Sequence, residues 1–157
     1  MHFQLRQIAA LLLFGAAFLP LAPAQAARTT VGIGTAASCT QAALDAALGA
    51  GGEIVFNCGG PTTIPLTSEK VIAKNTSIDG SNLVTLSGQG ARRIFKTNSH
   101  ITFTVKNLTL ADGFTTGQGG AIELGFWNNL TVIHSTFRNN QASKDSQACD
   151  GGGAIFV

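Results

Sequence analysis

The chain has 157 residues, ten of them Lys or Arg and eight Asp or Glu, and charged residues make up only 11% of the whole. A balance this close to neutral argues against nucleic acid or a strongly acidic macromolecule as partner. Gly, Thr, Ser and Asn fill the polar positions, a surface chemistry for repetitive turns and hydroxyl or amide rows and not for a catalytic helix bundle.

In chain order, residues 1–7 carry one cation, Arg6, and residues 8–22 form an apolar run followed by Ala24-Gln25-Ala26. Small residues at 24 and 26 are what a signal peptidase reads, and the run is too short and too poorly flanked to span a bilayer. Residues 1–26 are therefore expected to be a secretory signal cleaved after Ala26, leaving 27–157 for a single domain. Residues 27–37 read as a linker. Ser38-Cys39-Thr40-Gln41 fits a capping box, with the Ser38 hydroxyl and the Gln41 amide satisfying exposed N–H groups at a helix start. Leu44 and Leu48 share a face, Asp45 points elsewhere and Gly49 suits the stop, which predicts a short helix over 38–48. A helix of that length needs something to pack on, and the strand predicted at 53–58 is the nearest candidate.

From there the chain is a series of short β-branched runs at 63–66, 71–72, 76–78, 83–86, 93–95, 101–110, 121–124, 130–137 and 154–157. Asp79-Gly80, Ser87-Gly88, Asp112-Gly113 and Asn139-Asn140 punctuate them as turns. Ile101, Phe103 and Val105 alternate with Thr102, Thr104 and Lys106, giving a dry side and a wet side. Two phrases recur. Gly119-Gly120-Ala121-Ile122 returns as Gly152-Gly153-Ala154-Ile155, at an offset of 152 − 119 = 33. Val105 maps onto Val132, at an offset of 132 − 105 = 27. Self-similarity at a period of roughly 20–50 residues marks a stacked architecture, and strands this short do not survive as isolated hairpins.

The expected fold is thus all-β: a right-handed parallel β-helix (solenoid) begun over 38–157, with the short N-terminal helix capping its first coil. An antiparallel sandwich would satisfy the strand spacing but not the repeated phrase. Export permits disulfides. Cys39 and Cys58 bracket the first ordered segment and are expected to pair, and Cys149 is left over, its partner expected in sequence beyond Val157.

The Gly-Gly-Ala-Ile phrases, with Phe137-Arg138-Asn139-Asn140 as an F-x-x-N, resemble the polymorphic outer-membrane protein repeat. The N-terminal lid, the turn Phe56-Asn57-Cys58-Gly59-Gly60 and Thr76-Ser77-Ile78-Asp79-Gly80 look like the opening of bacterial secreted β-helix proteins of the pectin-lyase-like fold. The similarity covers about residues 36–157. It implies an exported protein, extracellular or at the outer-membrane surface, that continues with further coils and a C-terminal barrel or anchor. On that pattern the chain is an N-terminal fragment.

That scaffold carries lyases, hydrolases and adhesins alike, so chemistry has to be sought in the residues. After the lid the acidic residues are Glu53, Glu69, Asp79, Asp112, Glu123, Asp145 and Asp150, scattered and without the paired arrangement that glycoside hydrolysis requires. Asp79 and Asp112 precede Gly, where a turn accounts for them. Asp145 and Asp150 suit a cation-binding loop or a solvated one. Arg92-Arg93 suits an anionic sugar or a strand start, and His134 has no partner nearby in sequence. Phe126-Trp127, ahead of Asn128-Asn129, either presents an aromatic platform to a sugar or covers the neighbouring coil. No catalytic residue, metal ligand or cofactor site is assigned. The expectation is a non-catalytic structural or adhesive segment of an exported protein, with carbohydrate or a host-surface molecule as partner. The alternative is the N-terminal part of a polysaccharide lyase or glycoside hydrolase whose catalytic coils lie further on.

Overall fold

Short β-branched runs between Gly, Asn and Asp become strands in the computed structural model, which describes residues 27–143 and 152–157. Among these described residues there are thirteen strands and one α-helix. The expected signal segment and Asp145, Cys149 and Asp150 lie outside the described residues. The strands are β1 (Arg28–Val31), β2 (Gly52–Phe56), β3 (Thr62–Pro65), β4 (Lys70–Ile72), β5 (Thr76–Ser87), β6 (Phe95–Thr97) and β7 (Thr102–Ala111). They continue as β8 (Phe114–Thr115), β9 (Ile122–Glu123), β10 (Asn129–Ile133), β11 (Thr136–Arg138), β12 (Gln141–Ala142) and β13 (Ile155–Phe156), and the helix α1 is Gln41–Ala50. The described residues are mostly β, with parallel sheets and one α-helix.

Three sheets result among the described residues. One runs β1-β2-β5-β7-β10, with β3 alongside β5 and β11 alongside β7; a second runs β4-β6-β9-β13; β8 and β12 form the third. The chain returns to each sheet after nearly constant length. Arg28 pairs with Glu53 (53 − 28 = 25) and Gly52 with Thr76 (76 − 52 = 24). Thr76 pairs with Phe103, Phe95 with Ile122 and Phe114 with Gln141, each at an offset of 27 (103 − 76, 122 − 95, 141 − 114). Three places depart from this, one of them Thr62 with Val84 at 84 − 62 = 22. Between Asp79↔Lys106 and Val84↔Leu108 the register shifts, so 84 − 79 = 5 steps of β5 face 108 − 106 = 2 of β7. Ile122 pairs with Ile155 at 155 − 122 = 33.

The constant register lines apolar side chains up in rows. Ile54, Ile78 and Val105 form one, Ile64, Leu86 and Leu110 a second, and all six are buried. Phe95 and Phe103 meet edge-to-face inside, with ring centroids 5.2 Å apart. Each such buried aliphatic or aromatic side chain contributes roughly 1.5–3 kcal/mol of transfer free energy. α1 closes one end of the rows by burying Leu44, Ala47 and Leu48.

Corners between faces use residues in the left-handed region. His100 and Trp127, Asn107 and His134, and Asp112 and Asn139 form three pairs with positive φ, each pair again at an offset of 27 (127 − 100, 134 − 107, 139 − 112). Asn and Asp tolerate that conformation through local hydrogen bonds, whereas His and Trp do so at a cost.

Several boundaries differ from the sequence expectation. The supposed linker contains β1, because β2 offers its edge to Arg28–Val31. The helix starts at Gln41, not Ser38: Thr40 is the N-cap and its Oγ1 accepts from the Ala43 N–H at 3.2 Å. Ser38 instead donates to the Thr35 carbonyl and accepts from Ile33 N–H. Gly49 is helical, and Gly51, at φ 73°, ends the helix. The expected strands 76–78 and 83–86 are one strand, β5, and the expected strand 130–137 is broken at His134. Asp45, expected to point away from the packed face, pairs with Lys70 at 2.7 Å.

Candidate functional site

The largest exposed aromatic surface among the described residues arises where the chain leaves β9 and turns into β10. Gly125 is required here, since a Cβ would lie 2.9 Å from the Asn98 carbonyl carbon and the Thr97 oxygen. Trp127 then takes φ 61°, and Phe126 and Trp127 stand 79% and 81% exposed. The backbone beneath them is pinned to the preceding corner. Phe126 O accepts from His100 N–H at 3.0 Å, Gly125 N–H donates to Thr97 Oγ1 at 2.9 Å, and Asn129 N–H donates to Ile101 O at 2.9 Å. The Asn128 side chain bridges the same two corners, donating to Thr97 Oγ1 and Asn98 O and accepting from Ile101 N–H. Every one of these bonds joins one pass of the chain to the next. The platform is thus held in place by its neighbour and not by its own loop, a preorganised arrangement.

Beside the aromatic pair lies a cleft of about 830 Å³, within the ordinary size range of ligand sites. Leu124, Phe126, Trp127, Phe156 and Val157 supply its apolar wall; Lys96, Glu123, Asn98 and Ser99 supply polar groups. Behind it sits a charge cluster centred on Arg93, whose side chain is 10% exposed. Its Nη1 donates to Glu69 at 2.6 Å and its Nη2 to Glu123 at 2.5 Å, and Lys96 Nζ approaches the other Glu123 oxygen at 3.1 Å. The Arg93 Nε donates to the Gln118 and Gly119 carbonyls, and Nη2 also reaches Thr115 Oγ1. Two cations and two carboxylates cancel.

Models of known protein families, characterised proteins and solved structures give no match to this chain.

The residues singled out in the sequence are distributed as follows. Phe126 and Trp127 are together at the cleft. Cys39 and Cys58 form a disulfide with Cα atoms 5.6 Å apart, tying the segment before α1 to the end of β2 and taking no part in the cleft. Asp79 accepts from Ser81 N–H and from Asn107 Nδ2, and Asp112 from Asn139 Nδ2 and Ser87 Oγ, so both hold corners together. Arg92 bonds the Leu66 carbonyl. His134 is exposed at a corner. What sequence reasoning missed is the convergence of Glu69, Arg93 and Glu123, together with Lys96, Asn98 and Ser99 around the cleft. The signal for it is register: Lys96 and Glu123 are direct partners on β6 and β9.

All six carboxylates within the described residues are engaged. Asp45 holds Lys70, Glu53 faces Arg28 at 3.7 Å, Glu69 and Glu123 share Arg93, and Asp79 and Asp112 hold corners. Among the described residues no helix is long and apolar enough to cross a membrane.

Proposed function

We infer that this chain is a structural, adhesive segment of an exported right-handed parallel β-helix protein of the pectin-lyase-like kind with polymorphic outer-membrane-type repeats, and that it contacts carbohydrate through Phe126 and Trp127. Parallel pairing at nearly constant separation is what a chain winding in one direction would give, and crossovers between parallel strands are right-handed in nearly every known case. The Cys39–Cys58 disulfide and the signal-like segment 1–26 support export. The observation that carries the functional reading is the exposed aromatic pair on a corner whose backbone is hydrogen-bonded into its neighbour. Rings presented this way lose little entropy on stacking against a sugar face. Acid–base chemistry finds little support, because each described carboxylate already serves a structural partner.

Incubating the protein with immobilised and soluble polysaccharides, with and without calcium, tests this. Retention without new reducing ends or unsaturated products is the expected result. Product formation abolished by Asp112→Asn or Glu123→Gln would make the chain part of an enzyme, and failure to be retained on any polysaccharide would remove the adhesive reading.

A further inference from the structure

Resting on that reading of the aromatic corner, we propose that the cleft beside Phe126 and Trp127 selects an uncharged glycan and discriminates against uronate chains.

Charge is the first ground. Among the described residues, Lys96 and Glu123 are the charged ones that line the cleft, and they pair with each other at 3.1 Å. Arg93, the next cation, has all three guanidinium nitrogens committed to Glu69, Glu123, Thr115 and two backbone carbonyls. It has no bidentate pair of donors left for a sugar carboxylate, the arrangement by which arginine recognises such groups. A uronate entering the cleft would have to take Lys96 from Glu123, leaving Glu123 beside the incoming anion, and like charges in a partly desolvated site repel.

The second ground is what remains available. Asn98 and Ser99 side chains line the cleft, are exposed, and have no hydrogen-bond partner among the described residues. An amide and a hydroxyl each donate and accept, which matches sugar hydroxyls and not a carboxylate. Asn128, by contrast, is spent on Thr97, Asn98 and Ile101 and serves only to hold the corner. The apolar wall of Leu124, Phe126, Trp127 and Phe156 suits the C–H face of an equatorially substituted pyranose.

Trp127 is the single tryptophan of the chain, so its fluorescence reports on this site alone. Titration with cellohexaose or laminarihexaose is expected to shift and quench that emission, with an affinity that changes less than about twofold between roughly 20 mM and 500 mM NaCl. Hexagalacturonate is expected to bind at least about tenfold more weakly at the lower salt, a difference of about 1.4 kcal/mol. Asn98→Ala with Ser99→Ala, both on exposed side chains, should weaken the neutral glycans several-fold while circular dichroism stays unchanged. Glu123→Gln, which frees Lys96, should narrow the gap to hexagalacturonate. Hexagalacturonate binding as tightly as the neutral hexamers, with affinity falling as salt rises, would overturn this inference and leave the carbohydrate-contact reading standing. Unchanged emission with all three hexamers would overturn both.

Discussion

Lys70 occupies a position that the register assigns to the inside of the protein. Its row continues through Phe95, Ile122 and Ile155, yet it is a lysine, 2% exposed, with Nζ 2.7 Å from Asp45 Oδ1 and 3.0 Å from Ser68 Oγ. Asp45 is 45% exposed, so the two partners stand on unequal footing. Removing the carboxylate strands a buried ammonium; removing the ammonium leaves a carboxylate that water can reach. Breaking a buried pair from one side costs about 3–5 kcal/mol, and with Ser68 still in contact we expect about 2–3 kcal/mol for Asp45→Ala. Lys70→Met puts an apolar chain of similar length into an apolar row and is expected to fall within about 1 kcal/mol of the parent. In the Lys70→Met background Asp45→Ala should be neutral or stabilising by about 0.5 kcal/mol, through helix propensity alone. Urea unfolding of the four proteins gives the coupling energy, expected at about 2–3 kcal/mol. If Lys70→Met is destabilised as much as Asp45→Ala, the lysine is a net stabiliser and the desolvation argument fails.

Gly113→Ala should unfold the protein or lower stability by more than about 3 kcal/mol, since its Cβ would overlap the Gly120 carbonyl and lie 2.7 Å from Asn140 Oδ1. Gly60→Ala, with nothing within 4 Å, should leave the thermal midpoint nearly unchanged, and equal effects at the two sites would contradict the packing. His134→Asn replaces a residue at φ 46° with one that tolerates the left-handed region, and is expected to raise stability by about 0.5 kcal/mol in the same urea assay. Reducing the Cys39–Cys58 bond, whose partners have a sequence separation of 19, should lower stability by about 3 kcal/mol, measured as the shift in urea midpoint on adding a thiol.

The strands of the sheets are legible in the sequence because their residues are β-branched, alternate, and stop at Gly or Asx. Val105 and Val132, matched in sequence by their surroundings, are direct partners on β7 and β10. β1 is not legible. Arg28-Thr29-Thr30-Val31 is too short and too polar to read as a strand, and it becomes one only because β2 presents an edge. The helix start is misplaced in the sequence reading because Ser38 is the better cap in isolation, while Thr40 two residues on is the one used. The choice falls to the 3₁₀ turn at Ala36–Ser38, which engages the Ser38 hydroxyl. Segment 130–137 reads as continuous because nothing about His134 announces a positive φ. At the candidate site the aromatic pair can be named from sequence. The Glu69–Arg93–Glu123 cluster cannot, since its members lie on three successive passes of the chain and meet only once the register is known.

The register shift within β5 bears on what the fold tolerates, because the parallel pairing with β7 is kept on both sides of it. Beyond Gly80–Asn82 the ladder continues at Val84↔Leu108, with Val84 and Leu86 buried as Ile78 is before the shift. Gly80 itself is packed, a Cβ there lying 2.6 Å from the Asn107 carbonyl oxygen, so extra length has room only at the exposed Ser81 and Asn82. A peptide grafted there alters only what is displayed, whereas one residue inserted within β7 would turn every following side chain of the strand to the opposite face.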